Sequence, residues 1–86
     1  MPIRTPTEQE VAIVQAEAIA VINKSHGSHL THMAIKHLDK AISESKGNWE
    51  GTRKLLEERK EFSRSQNIAL ELFDIFLLML HDEATL

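Results

Sequence analysis

The stretch that decides the fold reads IALELFDIFLLML and spans residues 68–80. Eleven of its thirteen residues are apolar, and only Glu71 and Asp74 interrupt it. A surface helix normally has one apolar stripe and one polar face, whereas this segment is apolar almost all round. It is too short to cross a bilayer, which takes about 20 apolar residues. We therefore predict a central helix that more than one partner must cover.

Length and composition predict one small domain that needs outside support. The chain has 86 residues and no cysteine, so disulfides and thiolate metal sites are excluded. A chain of this size buries only about 60–65% of its unfolded surface, and its core alone is marginal. Association is the support that remains, and a symmetric dimer is the default. We expect residues 1–86 to form a single helical domain, with loose ends at 1–4 and 82–86.

Charge and hydropathy limit the classes of partner. Ten basic and thirteen acidic residues give a net charge of −3, which does not draw the chain to nucleic acid. The first ten residues contain no apolar run of the kind that a secretory signal needs. No segment is long enough to span a membrane. We therefore expect a cytoplasmic protein without membrane contact and without a cofactor.

The first predicted helix, at about residues 6–25, has a clear start signal. Thr5 suits the N-cap, and Pro6 suits the first helical position, where its missing N–H costs nothing. Glu8 can complete a capping box with Thr5. Small residues recur along this helix at Ala12, Ala16, Ala18 and Ala20. They would let another helix approach closely, so we expect this helix to be covered on more than one side.

The second predicted helix, at about residues 29–46, lies between two breakers. Gly27 suits the end of the first helix in left-handed geometry, and Ser28 can cap the second. Gly47 ends the second helix, and Asn48 can cap the next one. Between the breakers, apolar residues recur at spacings of three and four, which is typical of an amphipathic helix.

The remainder, residues 49–81, is either one helix of about 33 residues or two helices at 49–62 and 65–81. We favour two helices, because the serines at 63 and 65 compete for backbone hydrogen bonds and a chain this small cannot cover so long a helix. The sequence contains no alternating strand pattern. The predicted fold is all-α, a small antiparallel bundle of three or four helices.

Excess apolar surface on the last helix predicts self-association. Two helices can cover two of its stripes, and an exposed third stripe would mark an interaction site. The predicted self-association interface consists of Leu70, Phe73, Phe76, Leu77 and Leu80. The alternative is that the charged segment 50–62 folds back over this stripe through Leu55, Leu56 and Phe62.

No sequence motif in this chain indicates catalysis. The sequence has no glycine-rich phosphate loop, nucleophile elbow or HExxH motif. We therefore predict a non-catalytic protein that acts as a regulator, adaptor or inhibitor by binding a partner protein. Its layout, a small acidic chain with an apolar final helix, is similar to that of small bacterial regulators such as quorum-sensing anti-activators and two-component connector proteins. That likeness carries no motif and transfers no functional residue.

The alternative function is a nucleic-acid-binding regulator. Its candidate contacts, which could equally meet a protein partner, are Trp49, Arg53, Lys54, Arg59, Lys60 and Arg64. Basic side chains can meet phosphates, but four acidic residues are interleaved among them, so this alternative is the weaker one. Trp49, the only tryptophan, either packs against the core and so fixes the turn before it, or serves as an anchor for a binding partner.

Histidines are the remaining candidates for chemistry. His26, His29 and His32 are three residues apart and could approach one metal ion. We expect no metal site, because no cysteine exists and the nearest acid, Asp39, lies about two helical turns further on. His37 falls in the apolar stripe of the second helix and is expected to be a core or interface histidine.

Overall fold

The structure is a computed structural model that describes residues 6–84. This part of the chain contains no strand and forms four helices: α1 (Glu8–His26), α2 (Ser28–Glu44), α3 (Trp49–Arg59) and α4 (Arg64–Ala84). The prediction of a small all-α bundle is confirmed, with four helices.

The last helix, α4, lies at the centre and packs against each of the other three. Its first half carries most of the buried apolar residues, among them Ile68, Leu72 and Phe73, each no more than 2% exposed. His26 at the end of α1 contacts Glu71 in the first half of α4, so the end of α1 lies beside this part of the central helix. The prediction of a central helix with several partners is confirmed.

A turn at residues 60–63 separates α3 from α4. The amide of Phe62 donates to the carbonyl of Arg59 at 3.0 Å, and Ser63 Oγ accepts from the amide of Gln66 at 3.2 Å, as a cap does. The prediction of two helices is therefore confirmed, and the alternative of one long helix is wrong. The third helix ends three residues before the predicted boundary.

The fourth helix extends to residue 84. Residues 82–84 thus belong to this helix; the expectation of loose ends stays a prediction, and for 1–4 and 85–86 it falls outside the described residues. The apolar residues before position 82 are already helical. Extending an existing helix by one residue costs much less free energy than starting a new one.

The start of α1 lies two residues later than predicted. The N-cap is Thr7, whose Oγ1 accepts from the amide of Glu10 at 3.1 Å, while Glu10 Oε1 accepts from the amide of Thr7 at 3.0 Å. Thr5, the predicted cap, lies outside the described residues; Glu10 and not Glu8 is the acid of the capping box, and Pro6 lies outside the helix. The sequence offers the same Thr-x-x-Glu spacing twice. The second copy places both acids in the first turn, beside the positive end of the helix dipole.

A single residue, Gly27, joins α1 to α2. Its φ of 87° belongs to the region that favours glycine, but its ψ of 164° differs from the predicted left-handed helical value. The reason is that the chain enters α2 at once, and Thr31 Oγ1 donates to the Gly27 carbonyl at 2.7 Å. Ser28 is already helical, so the prediction of Ser28 as the cap is wrong.

At the end of α2, Lys46 adopts a left-handed backbone conformation directly before Gly47, the residue predicted to end this helix. Gly47 donates to the carbonyl of Ile42 at 3.0 Å and Lys46 donates to that of Ser43 at 3.1 Å, which is the Schellman pattern. In this pattern the left-handed C′ position falls on Lys46, with a φ of 57°, and Gly47 follows it with a φ of 80°. Left-handed backbone costs a residue with a side chain about 1–2 kcal/mol.

Lys46→Gly is therefore expected to stabilise the protein by about 0.5–1 kcal/mol, since glycine relieves this cost but loses more entropy on folding. Thermal unfolding followed by circular dichroism measures the change. Lys46→Ala is the matched control, because it removes the same charge and keeps the strained backbone. Equal melting temperatures for the glycine and alanine variants would contradict the prediction.

Candidate binding cleft

An apolar cleft lies between α1 and α2, and α4 forms its floor. It has a volume of about 50 Å³. Eleven side chains line it: Val11, Gln15, Ala18, Ile19, Ile35, Leu38, Ile42, Trp49, Leu72, Phe73 and Phe76. Gln15 is the only polar one among them, and none is charged.

Helical periodicity explains the two walls. On α1 the cleft side is formed by Val11, Gln15 and Ile19, which are four residues apart and so share one face. On α2 the partly buried Ile35 and Ile42, seven apart, face them. The two helices pack against α4 more extensively than against each other. They are held together at Gly27, so the cleft is closed at that end.

Trp49 closes the cleft at the other end. Its ring centroid lies 5.9 Å from that of Phe73 and 5.8 Å from that of Phe76, and the two phenylalanine rings are 6.2 Å apart. These distances fall in the favourable range for aromatic pairs. The indole remains 39% exposed. Trp49 thus packs onto the core, as one reading of the sequence proposed, and also offers an aromatic surface at the cleft.

Hydrogen bonds at the α2–α3 junction hold Trp49 in place. Asn48 Oδ1 caps α3 by accepting from the amide of Gly51 at 2.7 Å, which confirms the predicted cap. Thr52 is fully buried; its Oγ1 donates to the Asn48 carbonyl at 2.8 Å and lies 2.5 Å from Ser45 Oγ, which can donate to it. The first residue of α3 is therefore fixed relative to the end of α2.

The predicted self-association residues divide into two groups. Leu70, Phe73 and Phe76 are between 0% and 9% exposed and pack against the chain's own helices. Leu77 and Leu80 are half-buried. A second copy could therefore reach only these last two without unpacking the core.

The charged segment does fold back onto the central helix. Leu56 is 2% exposed and Leu55 packs against the core, so the alternative in which the segment covers α4 is confirmed for these two residues. It is wrong for Phe62, which is 76% exposed. Phe62 lies in the turn after α3, beyond the part of the segment that contacts α4.

The predicted basic contacts are largely compensated. Arg53 Nε lies 3.0 Å from Asp74 Oδ1, and Lys60 Nζ lies 2.8 Å from Glu57 Oε1. Arg59 donates two hydrogen bonds to one carboxylate, that of Glu44, at 2.6 and 3.1 Å.

The hydrogen bond from Arg59 lowers the pKa of Glu44, and that from Lys60 lowers the pKa of Glu57. Both carboxylates are therefore charged at neutral pH. Of the five predicted basic contacts, Lys54 and Arg64 remain, and both are exposed. To contact all five of these basic side chains, the phosphate backbone of a nucleic acid would have to displace three carboxylates that already pair with them.

The histidines do not converge on one site. His26 Nε2 lies 3.1 Å from Glu71 Oε2, whereas His29 and His32 are exposed. His37 is half-buried beside Lys40 and Phe62. Among the side chains that the structure describes, those of residues 6–82, no three histidine, aspartate or glutamate side chains are grouped so that they could hold a metal ion. No helix in the same range has the length and apolar character needed to cross a membrane.

No family model, curated protein or solved structure matches this chain.

The cleft between α1 and α2 was not predicted from the sequence, although the sequence contains a signal for it. Val11, Gln15 and Ile19 form a second stripe on α1, beside the buried stripe of Val14 and Ala18.

Proposed function

We propose that this chain is a non-catalytic interaction protein, a regulator, adaptor or inhibitor, that binds an amphipathic helix of a partner protein in the cleft between α1 and α2. The observation that supports this function is the lining of the cleft, in which ten of eleven side chains are apolar and none is charged. Grooves of this kind accept the apolar face of a helix, read as anchors at positions i, i+3, i+4 and i+7.

The position of Trp49 supports the same function. Tryptophan is enriched among the residues that dominate binding energy, and this one is partly exposed where the cleft ends. Each apolar anchor that a partner buries contributes about 1.5–3 kcal/mol before the costs of association are subtracted. Two or three anchors therefore contribute about 3–9 kcal/mol before those costs, so we expect a weak complex, with a dissociation constant well above the micromolar value that about −8 kcal/mol would give.

A displayed library of amphipathic helical peptides tests the proposal. We expect the protein to enrich peptides whose apolar residues recur at spacings of three and four. Binding of a selected synthetic peptide should change the emission of Trp49, which is the only tryptophan in the chain. Titration of that emission gives the dissociation constant directly.

Variants locate the binding surface. Ile35→Glu places a charge in the cleft and should weaken peptide binding at least about tenfold; Ile42→Gln replaces it if the first variant does not fold. Leu78→Glu is the control, because Leu78 is 67% exposed and does not line the cleft. If the cleft variant and the Leu78→Glu control bind the selected peptide as tightly as the original protein does, the proposal is refuted. The absence of any enriched peptide would also refute it.

The cytoplasmic location and the dimeric state expected from the sequence stay predictions.

A further inference from the structure

A second cavity lies where α2 meets the end of α3 and the start of α4. It has a volume of about 200 Å³, below the range of about 300–1,000 Å³ that is typical of sites for drug-sized ligands. Six side chains line it: His37, Lys40, Leu56, Arg59, Phe62 and Gln66. Four of the six carry nitrogen groups that can donate hydrogen bonds, and none is acidic. The cavity therefore has the size and the chemistry to hold a small anion.

Helical geometry separates this cavity from the cleft. His37 follows the cleft residue Ile35 by two positions, and Lys40 precedes the cleft residue Ile42 by two. Two positions along an α-helix correspond to a rotation of about 200°, so these pairs point to nearly opposite sides of α2. An occupant of the second cavity would not touch the proposed helix-binding surface, and the inference goes beyond the proposed function.

An ion pair fixes the polar wall of this cavity. Arg59, the last residue of α3, donates to both carboxylate oxygens of Glu44, the last residue of α2. Arginine has five N–H donors, so three remain after these two bonds. The pair cancels its own charge, and Lys40 leaves the wall positive. The acids next to the lining residues in sequence, Asp39 and Glu61, do not line the cavity.

The donors of this wall lack acceptors. Neither His37 nor Lys40 forms a hydrogen bond or an ion pair with a described residue. Gln66 Oε1 accepts from Ser63 Oγ at 2.9 Å, and the amide nitrogen of Gln66 has no described acceptor. The first turn of α4, in which Gln66 lies, contains no acid, so the positive end of that helix dipole also favours an anion.

Two apolar side chains complete the lining. Leu56 is 2% exposed and belongs to the core, whereas Phe62 is 76% exposed. Phe62 is the most exposed of the large apolar side chains that the structure describes. An aromatic ligand in the cavity could stack on this ring, and the contact would remove both rings from water.

We propose that this cavity binds a small aromatic oxyanion, a molecule with one ring and one carboxylate or phosphate group. The oxyanion accepts hydrogen bonds from Lys40, Arg59 and Gln66. The ring lies against Phe62 and Leu56. Carboxylate and phosphate share the chemistry that these donors recognise, and the experiment separates the two.

An NMR titration of the isotopically labelled protein tests the site. The probes are benzoate, phenyl phosphate, inorganic phosphate and the neutral benzamide, all at one ionic strength. We expect the tighter of the two aromatic anions to bind with a dissociation constant of about 1 mM, because ion pairs with exposed side chains are weak. Amide shifts should concentrate at residues 37–40 and 59–66. The absence of saturable shifts there with either aromatic anion would overturn the proposal.

The other two probes test each half of the ligand. Inorganic phosphate lacks the ring and benzamide lacks the charge, so each should bind about fivefold more weakly than its aromatic anion or worse. Phosphate that binds as tightly as phenyl phosphate would remove the role of the ring. Benzamide that binds as tightly as benzoate would remove the role of the charge. Either result would overturn the proposal.

Variants locate the binding to this cavity. Lys40→Gln should weaken binding of the aromatic anions about fivefold. Lys54→Gln is the matched control, because Lys54 is also exposed and does not line the cavity. Phe62→Ala should weaken the aromatic anions and leave inorganic phosphate unchanged. Equal losses for the two lysine variants would show that overall charge attracts the anion, and would overturn the proposal.

This inference and the proposed function fail separately. Ile35→Glu, in the cleft, should leave benzoate binding unchanged, and Lys40→Gln should leave the binding of a selected peptide unchanged. A protein that binds its peptide but no aromatic anion would refute this inference alone. A protein that binds the anion but selects no peptide would refute only the proposed function.

Discussion

Phe73→Ala is expected to lower the free energy of unfolding by about 3–5 kcal/mol. The Phe73 side chain is fully buried in the middle of the central helix and contacts the rings of Trp49 and Phe76. Alanine would remove the ring and leave a cavity between helices that cannot fully collapse. Small domains have a total stability of about 5–15 kcal/mol, so this one side chain accounts for a large part of it.

Phe62 is the matched control for this prediction. It is the same residue type in the same chain, but it is 76% exposed, so Phe62→Ala should change stability by no more than about 0.5 kcal/mol. Urea unfolding followed by circular dichroism measures both variants. Phe73→Leu, which leaves a smaller cavity, is available if the alanine variant is unfolded. Similar losses at the two positions would mean that the aromatic cluster is not the centre of the core.

Thr52→Val is expected to destabilise the protein by about 0.5–1.5 kcal/mol. Valine keeps the shape of the side chain but loses the hydroxyl that contacts the Asn48 carbonyl and Ser45 Oγ. Position 52 is fully buried, so water cannot easily replace these bonds. The Asn48 carbonyl still accepts from the backbone amide of Thr52, and Ser45 Oγ still donates to the Ile42 carbonyl, so the expected loss is that of the hydroxyl's own hydrogen bonds. The junction that places Trp49 should loosen as well.

Two companion variants isolate the hydroxyl. Thr52→Ser keeps it and should retain the network, at the smaller cost of one methyl group. Ser45→Ala, combined with Thr52→Val in a double-mutant cycle, should give a coupling energy of about 0.5 kcal/mol or more. Additive losses, or a valine variant as stable as the original protein, would indicate that the hydroxyl pair contributes nothing. A shift in Trp49 emission reports the junction independently of stability.

Much of the fold was predictable because its signals are local. Apolar spacing identifies the helices, the glycines mark two of the three breaks, and Asn48 caps α3 as its side chain allows. The break between α3 and α4 also follows from local chemistry, since Ser63 can satisfy an amide at the start of α4. Where two local signals compete, the sequence is ambiguous: both Thr5 and Thr7 precede a glutamate by three residues.

Less of the candidate site was predictable, because it depends on which helices meet. Phe73 and Phe76 look like interface residues when α4 is considered alone, and become core only once α1, α2 and Trp49 cover them. The basic residues of α3 look like free charges until Arg59 meets Glu44 across to α2. The cleft requires the angle between α1 and α2, which no short stretch of sequence contains.

The angle between α1 and α2 depends on the backbone of a single connecting residue, Gly27. Because one glycine separates two helices, its two dihedral angles set the direction in which the whole of α1 leaves α2. The 19 residues of α1 extend for about 28 Å, so a rotation of 10° at the joint would displace the far end by about 5 Å. Gly27 is the hinge point of such a rotation, which the packing of α1 against α4 and α2 opposes. A change at this one remote residue would therefore alter the width of the cleft mouth.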